Sequence, residues 1–316
     1  MNISYSEPLV SGFNRMKKSL FQPFNLSKWI NVGFTAFLAG LADCGGGSSG
    51  GGNSNIGNKM ESFDWNEFYS FPSIAQDWLI EHPFWFALII TGLLFLVVIA
   101  MIITWVSSRG KFMFLQNVVK NEDEIVKPWN EFRKEGNSLF WWQFIYGWIV
   151  LLIFVLLAIY GFGVAKNIHN GVLPEVSKIS FIIGFIVTII ALFIIFGYIS
   201  LFLNDFIVPV MYKYRISATK AWSKFLSLTL SNPGAFIVYG LFVLVLTIAI
   251  VIIVLVAALA TCCIGLILLI IPFINAVVLL PVSYTYRAFS IEFLAQFGSD
   301  FDLFTNSEDK IDQIRE

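Results

Sequence analysis

The chain has 316 residues, of which 57% are hydrophobic and 13% charged, with a net charge of −1 and a mean hydropathy of +0.77. So apolar and charge-poor a composition excludes an ordinary soluble domain and predicts a multi-span membrane protein. In lipid, only helices and closed barrels satisfy their own backbone groups, and long continuous apolar runs select helices over the alternation of a barrel.

From Ser6, the residues Leu9, Phe13, Met16 and Leu20 recur at helical spacing, with Ser6 as the expected N-cap and Pro8 in the first turn. Such an amphipathic helix is expected on the inner leaflet. Residues 29–42 form a short apolar run, roughly 21 Å long as a helix, that either spans or dips into the bilayer. Ala36 and Gly40 give it a small-xxx-small face for close packing.

The Gly/Ser/Asn-rich stretch 45–58 is read as a flexible outer loop, and it lacks the Lys-Ser/Thr that a phosphate loop requires. The order Met16-Lys17-Lys18, apolar run, Leu41-Ala42-Asp43-Cys44 is similar to a bacterial lipoprotein signal. Asp43 stands where such signals carry a small residue, so a first span ending in a free cysteine is preferred.

Five runs have the roughly 20 residues that a bilayer core requires: 84–106, 140–163, 179–203, 235–259 and 264–286. A tight outer turn is expected at 261–265, and Pro272 and Pro281 are expected to break the last helix. Six crossings then put 17 of the 20 Lys and Arg on one side, leaving Lys59, Lys166 and Lys178 on the other. The positive-inside rule makes both termini cytoplasmic. The expected divisions are a cytoplasmic segment 1–27, a short span with its outer loop 28–82, two repeats 83–175 and 176–260, a last span with a cytoplasmic helix 261–298, and an acidic tail 299–316.

Two further amphipathic faces follow on the cytoplasmic side. Ile125, Trp129 and Phe132 are flanked by Lys127, Arg133 and Lys134, while Trp222, Phe225 and Leu226 are flanked by Lys220 and Lys224. At an ungapped offset of 93 residues, Lys127, Trp129, Phe132, Ser138, Tyr146 and Gly147 match Lys220, Trp222, Phe225, Ser231, Tyr239 and Gly240. Each unit reads span, amphipathic helix, span in the same direction, which predicts a pseudo-two-fold along the membrane normal.

Chemistry-bearing clusters are not apparent. Cys262 and Cys263 read as small fillers at a turn, and His82 and His169 fall in different outer loops, so neither a metal nor a cofactor is expected. No charge is placed near the centre of a span, which disfavours a proton-coupled pump. Asn275 beside Pro272 is expected to bond a neighbouring helix.

The stretches 105–115 (WVSSRGKFMFL), 128–131 (PWNE), 136–140 (GNSLF) and 287–298 (RAFSIEFLAQFG) resemble an uncharacterised family of prokaryotic multi-span membrane proteins. That family is similar in layout to the membrane domain joined to some bacterial glycerophosphodiester phosphodiesterases. The resemblance implies a prokaryotic inner-membrane protein and brings no active site, because no soluble segment is long enough for the catalytic barrel.

The resulting expectation is a non-enzymatic, six-span, all-α membrane subunit or scaffold. It would bind lipid headgroups or a cytoplasmic protein through Lys127, Trp129, Arg133, Lys134, Lys220, Trp222 and Lys224. Its expected partners are membrane lipids, a cytoplasmic protein or a second copy of itself, and no nucleic acid. The alternative is a passive transporter or channel with its path between the repeats, near Tyr146 and Tyr239.

Overall fold

The computed structural model describes residues 3–43, 65–171, 175–261 and 270–304, and every element among them is helical. In chain order these are α1 (Ser6–Phe21), α2 (Leu26–Gly40), α3 (Trp65–Glu81), α4 (Pro83–Lys120), α5 (Val126–Glu131), α6 (Arg133–His169), α7 (Glu175–Phe202), α8 (Val208–Tyr214), α9 (Ala218–Ser231), α10 (Pro233–Ala260), α11 (Pro272–Val278) and α12 (Leu280–Ala295). The loop 45–58, Cys44, the Cys262-Cys263 turn and residues 305–316 lie outside the described residues. The helices form two compact units, one of Met1–Ala42, Thr104–Tyr146 and Phe193–Glu316, the other of Asp43–Ile103 and Gly147–Leu192.

The first unit is built around α12, whose Tyr284, Ala288, Phe289, Phe293 and Leu294 are buried. Antiparallel to it runs α1, where the Ser4 N–H donates to Gln296 Oε1 and Tyr5 stacks on Phe293. Gly12 makes that approach possible, because a Cβ there would sit 2.9 Å from the Phe289 backbone nitrogen. The apolar stripe of α1 is thus largely spent on packing. Ser6 is its first helical residue rather than the cap, and Ser4 Oγ accepts from the Glu7 N–H.

Asn25 caps α2 by accepting from the Ser27 and Lys28 N–H groups. Of the two small residues expected to pack closely, Ala36 lies against the core, but Gly40 does not. Gly40 meets nothing within 4 Å, whereas a Cβ on Gly33 would lie 2.9 Å from Val277 of α11. Across α2, Gly110 of α4 comes so close to Leu38 and Ala39 that a Cβ would sit 2.6 Å from their backbone.

Two helices run further than their apolar stretches. Past residue 106, α4 continues to Lys120, and Ser107 through Val119 are all buried. Packing against neighbours stabilises this polar extension where propensity and hydropathy alone do not. Beyond Phe202, α7 passes through a π-turn at Leu203–Ile207 into α8. Pro209 has no N–H and its ring clashes with a carbonyl one turn earlier, so the wider turn absorbs the misfit. Both runs stop at a residue in the left-handed region, Asn121 (φ 58°) and Arg215 (φ 52°). Pro272 and Pro281 divide the last run as expected, each lying in the first turn of a helix.

In the second unit, Tyr69 of α3 packs on Phe162 and His169 of α6, at 5.6 and 5.1 Å between ring centroids. Gly161 admits the Phe185 ring of α7 to within 2.5 Å of where its Cβ would be.

Among the described residues, four helical runs are long and apolar enough to cross a membrane: α4, α6, the run Lys178–Tyr214, and α10. Six were expected. The 15 residues of α2 fall short, and the run 264–286 lies partly outside the described residues and is otherwise divided at Leu279.

Candidate functional site

The seven predicted site residues all lie in the first unit, on α5, the start of α6, and α9. Lys127, Arg133, Lys134 and Lys220 are exposed, and Lys127 reaches Glu124 at 3.4 Å. The tryptophans are turned inward by comparison. Trp129 meets Trp105 edge to face at 5.6 Å, with the Arg109 guanidinium 5.0 Å over its ring. Trp222 stacks on Trp142 at 5.2 Å, and its Nε1 is buried. Lys224 is half-buried, its ammonium 3.2 Å from the centroid of Tyr214.

The two predicted faces are joined by a residue that sequence reasoning passed over. Arg215, at the left-handed stop after α8, forms an ion pair with Glu131, lies 3.9 Å from Glu135, and places its guanidinium over the Phe132 ring. Ser138 Oγ accepts from the Ala218 N–H at 3.0 Å, tying the start of α9 to α6. The basic face is therefore held on a braced support rather than on independent loops.

Beneath it lies a buried polar cluster. Lys111 is 1% exposed and donates to Asn204 Oδ1 at 2.7 Å; the Arg287 guanidinium donates to the Asn204 carbonyl. The Tyr239 hydroxyl donates to Asp205 Oδ2 at 2.9 Å, and both Asp205 and Arg287 act on it electrostatically. Cations from α4 and α12 thus converge on Asn204 of the π-turn, while the neighbouring Asp205 carboxylate takes the Tyr239 hydroxyl of α10. The available signal was Arg-Gly-Lys beside an apolar run and Asn204-Asp205 four to five residues before Pro209. Phe206, Phe289 and Phe293 crowd the Tyr239 ring at 4.6–5.3 Å, so the cluster holds helices together. Among the described residues, no three His, Cys, Asp or Glu side chains are grouped to hold a metal ion.

Compared with known proteins, residues 7–303 match the model of a family of unknown function, DUF7544. No curated protein and no solved structure matches the chain. The likeness to phosphodiesterase membrane domains finds no support in these comparisons.

Proposed function

The chain belongs to the DUF7544 family of unknown function, and we propose from its geometry that it is a non-enzymatic membrane scaffold whose basic face recruits an acidic partner protein. In three of the four long runs none of the most apolar 18 residues is buried, and in α10 only 6%. Left in water, each such Leu, Ile or Phe forgoes roughly 1.5–3 kcal/mol, a cost that a hydrocarbon phase removes. The reading is a prokaryotic inner-membrane protein of six crossings, with both termini and the basic face in the cytoplasm.

The repeat reading draws support from pairs at matching positions. Phe112 stacks on Phe132 at 5.6 Å and Phe206 on Phe225 at 5.1 Å, and the left-handed stops Asn121 and Arg215 stand at corresponding places in the two repeats, within one residue of the 93-residue offset.

One observation carries the choice of partner. Interfacial anchoring needs aromatic rings free to enter the headgroup region; here Trp129 packs edge to face on Trp105 and Trp222 stacks on Trp142, while Lys127, Arg133, Lys134 and Lys220 stay exposed. A cationic surface whose two flanking tryptophans are held by other rings suits an acidic protein better than a lipid interface. Gentle extraction and native mass spectrometry test this. The wild-type chain should carry a protein in fixed stoichiometry, and the double variant Lys127→Glu/Lys220→Glu should lose about tenfold or more of it at unchanged yield. An undiminished partner in the variant, or anionic lipid alone on the wild type, contradicts the reading.

A further inference from the structure

A groove of about 200 Å³ lies between α1, α10 and the start of α12 in the first unit. One wall is the Leu9, Phe13 and Met16 stripe of α1, and the facing wall includes Leu246 and Ile250, within a run long and apolar enough to span a membrane. Its two hydroxyls are already engaged. Thr285 Oγ1 donates to the Pro281 carbonyl at 2.7 Å, and the Tyr286 hydroxyl lies 3.2 Å from Thr247 Oγ1. Pro281 has no N–H to offer. The lining therefore presents carbon to an occupant.

Size and charge narrow the occupant further. At about 200 Å³ the space is below the 300–1,000 Å³ typical of pockets for whole small molecules, so it holds an apolar part of a larger molecule. Lys17 is exposed one helical turn beyond Phe13, and Lys18 follows it. Arg15, by contrast, is engaged with Glu292 at 2.7 Å and with the Phe304 ring. We propose that the groove takes one acyl chain of an anionic phospholipid, with Lys17 meeting its phosphate. This rests on the membrane reading above but not on the basic face of α5, α6 and α9.

The full chain, stripped in detergent and given phosphatidylglycerol or phosphatidylcholine, tests the site by native mass spectrometry. Wild type should retain one phosphatidylglycerol per chain in preference to phosphatidylcholine. Leu246→Trp fills the groove, and displacing about two methylenes should lower occupancy roughly tenfold. Lys17→Glu, at an exposed position that packing does not use, should keep the fold and lose the headgroup preference. Lys127→Glu/Lys220→Glu should retain the lipid, which separates this site from the partner surface. Equal retention by Leu246→Trp and wild type, an unchanged preference in Lys17→Glu, or no lipid on wild type overturns the proposal.

Discussion

Asp205→Ala is expected to destabilise the first unit by about 3 kcal/mol, read as a lower midpoint of thermal unfolding in micelles. The substitution removes the acceptor of the Tyr239 hydroxyl and a carboxylate that shares the surroundings of that hydroxyl with the buried Arg287 guanidinium. Removing one partner from a buried ionic site is costly because the remaining charge stays desolvated. The figure is at the lower end of that range because Asp205 itself is only half-buried. Asp205→Asn keeps an acceptor for Tyr239 and should fall between the two, separating charge from hydrogen bonding. Lys111→Met keeps the aliphatic volume, removes a buried cation and leaves Asn204 Oδ1 unpaired, for a smaller loss of about 1–2 kcal/mol. If Asp205→Ala melts with wild type, the cluster does not hold these helices together.

Gly110→Val should cost about 3 kcal/mol, the upper end for overpacking, because what its Cβ meets is backbone. At 2.6 Å from Ala39 N and the Leu38 carbonyl carbon, relief requires moving α2 as a body. The same change at Gly40, where nothing lies within 4 Å, should be close to neutral or mildly stabilising through helix propensity. Paired melting curves decide the matter, and equal effects at the two glycines would show that α2 does not pack as described.

That contrast also marks how far the sequence could be read. The long helices were legible, because apolar runs of bilayer length leave few alternatives to a helix. Their continuation was not. Arg109 and Lys111 look like a loop by charge, and only contact with α2 and the π-turn explains why α4 keeps its course to Lys120. Small residues announced that α2 packs closely, but Gly33 and Gly40 differ only in what their partners place opposite them. The basic residues of the candidate site were visible as charges flanking aromatic stripes. Which way Trp129 and Trp222 turn depends on Trp105 and Trp142, distant in the chain, and Arg215 acts through a left-handed backbone that no local pattern marks.

In the proposed arrangement the basic face stands on one side of a membrane that the long apolar helices cross. Single cysteines placed in a background with Cys44, Cys262 and Cys263 replaced by serine test it most directly, using a thiol reagent that does not permeate intact cells. Lys127→Cys and Lys220→Cys should label only after permeabilisation, and Lys166→Cys should label in intact cells. Labelling of all three under the same condition would contradict the account.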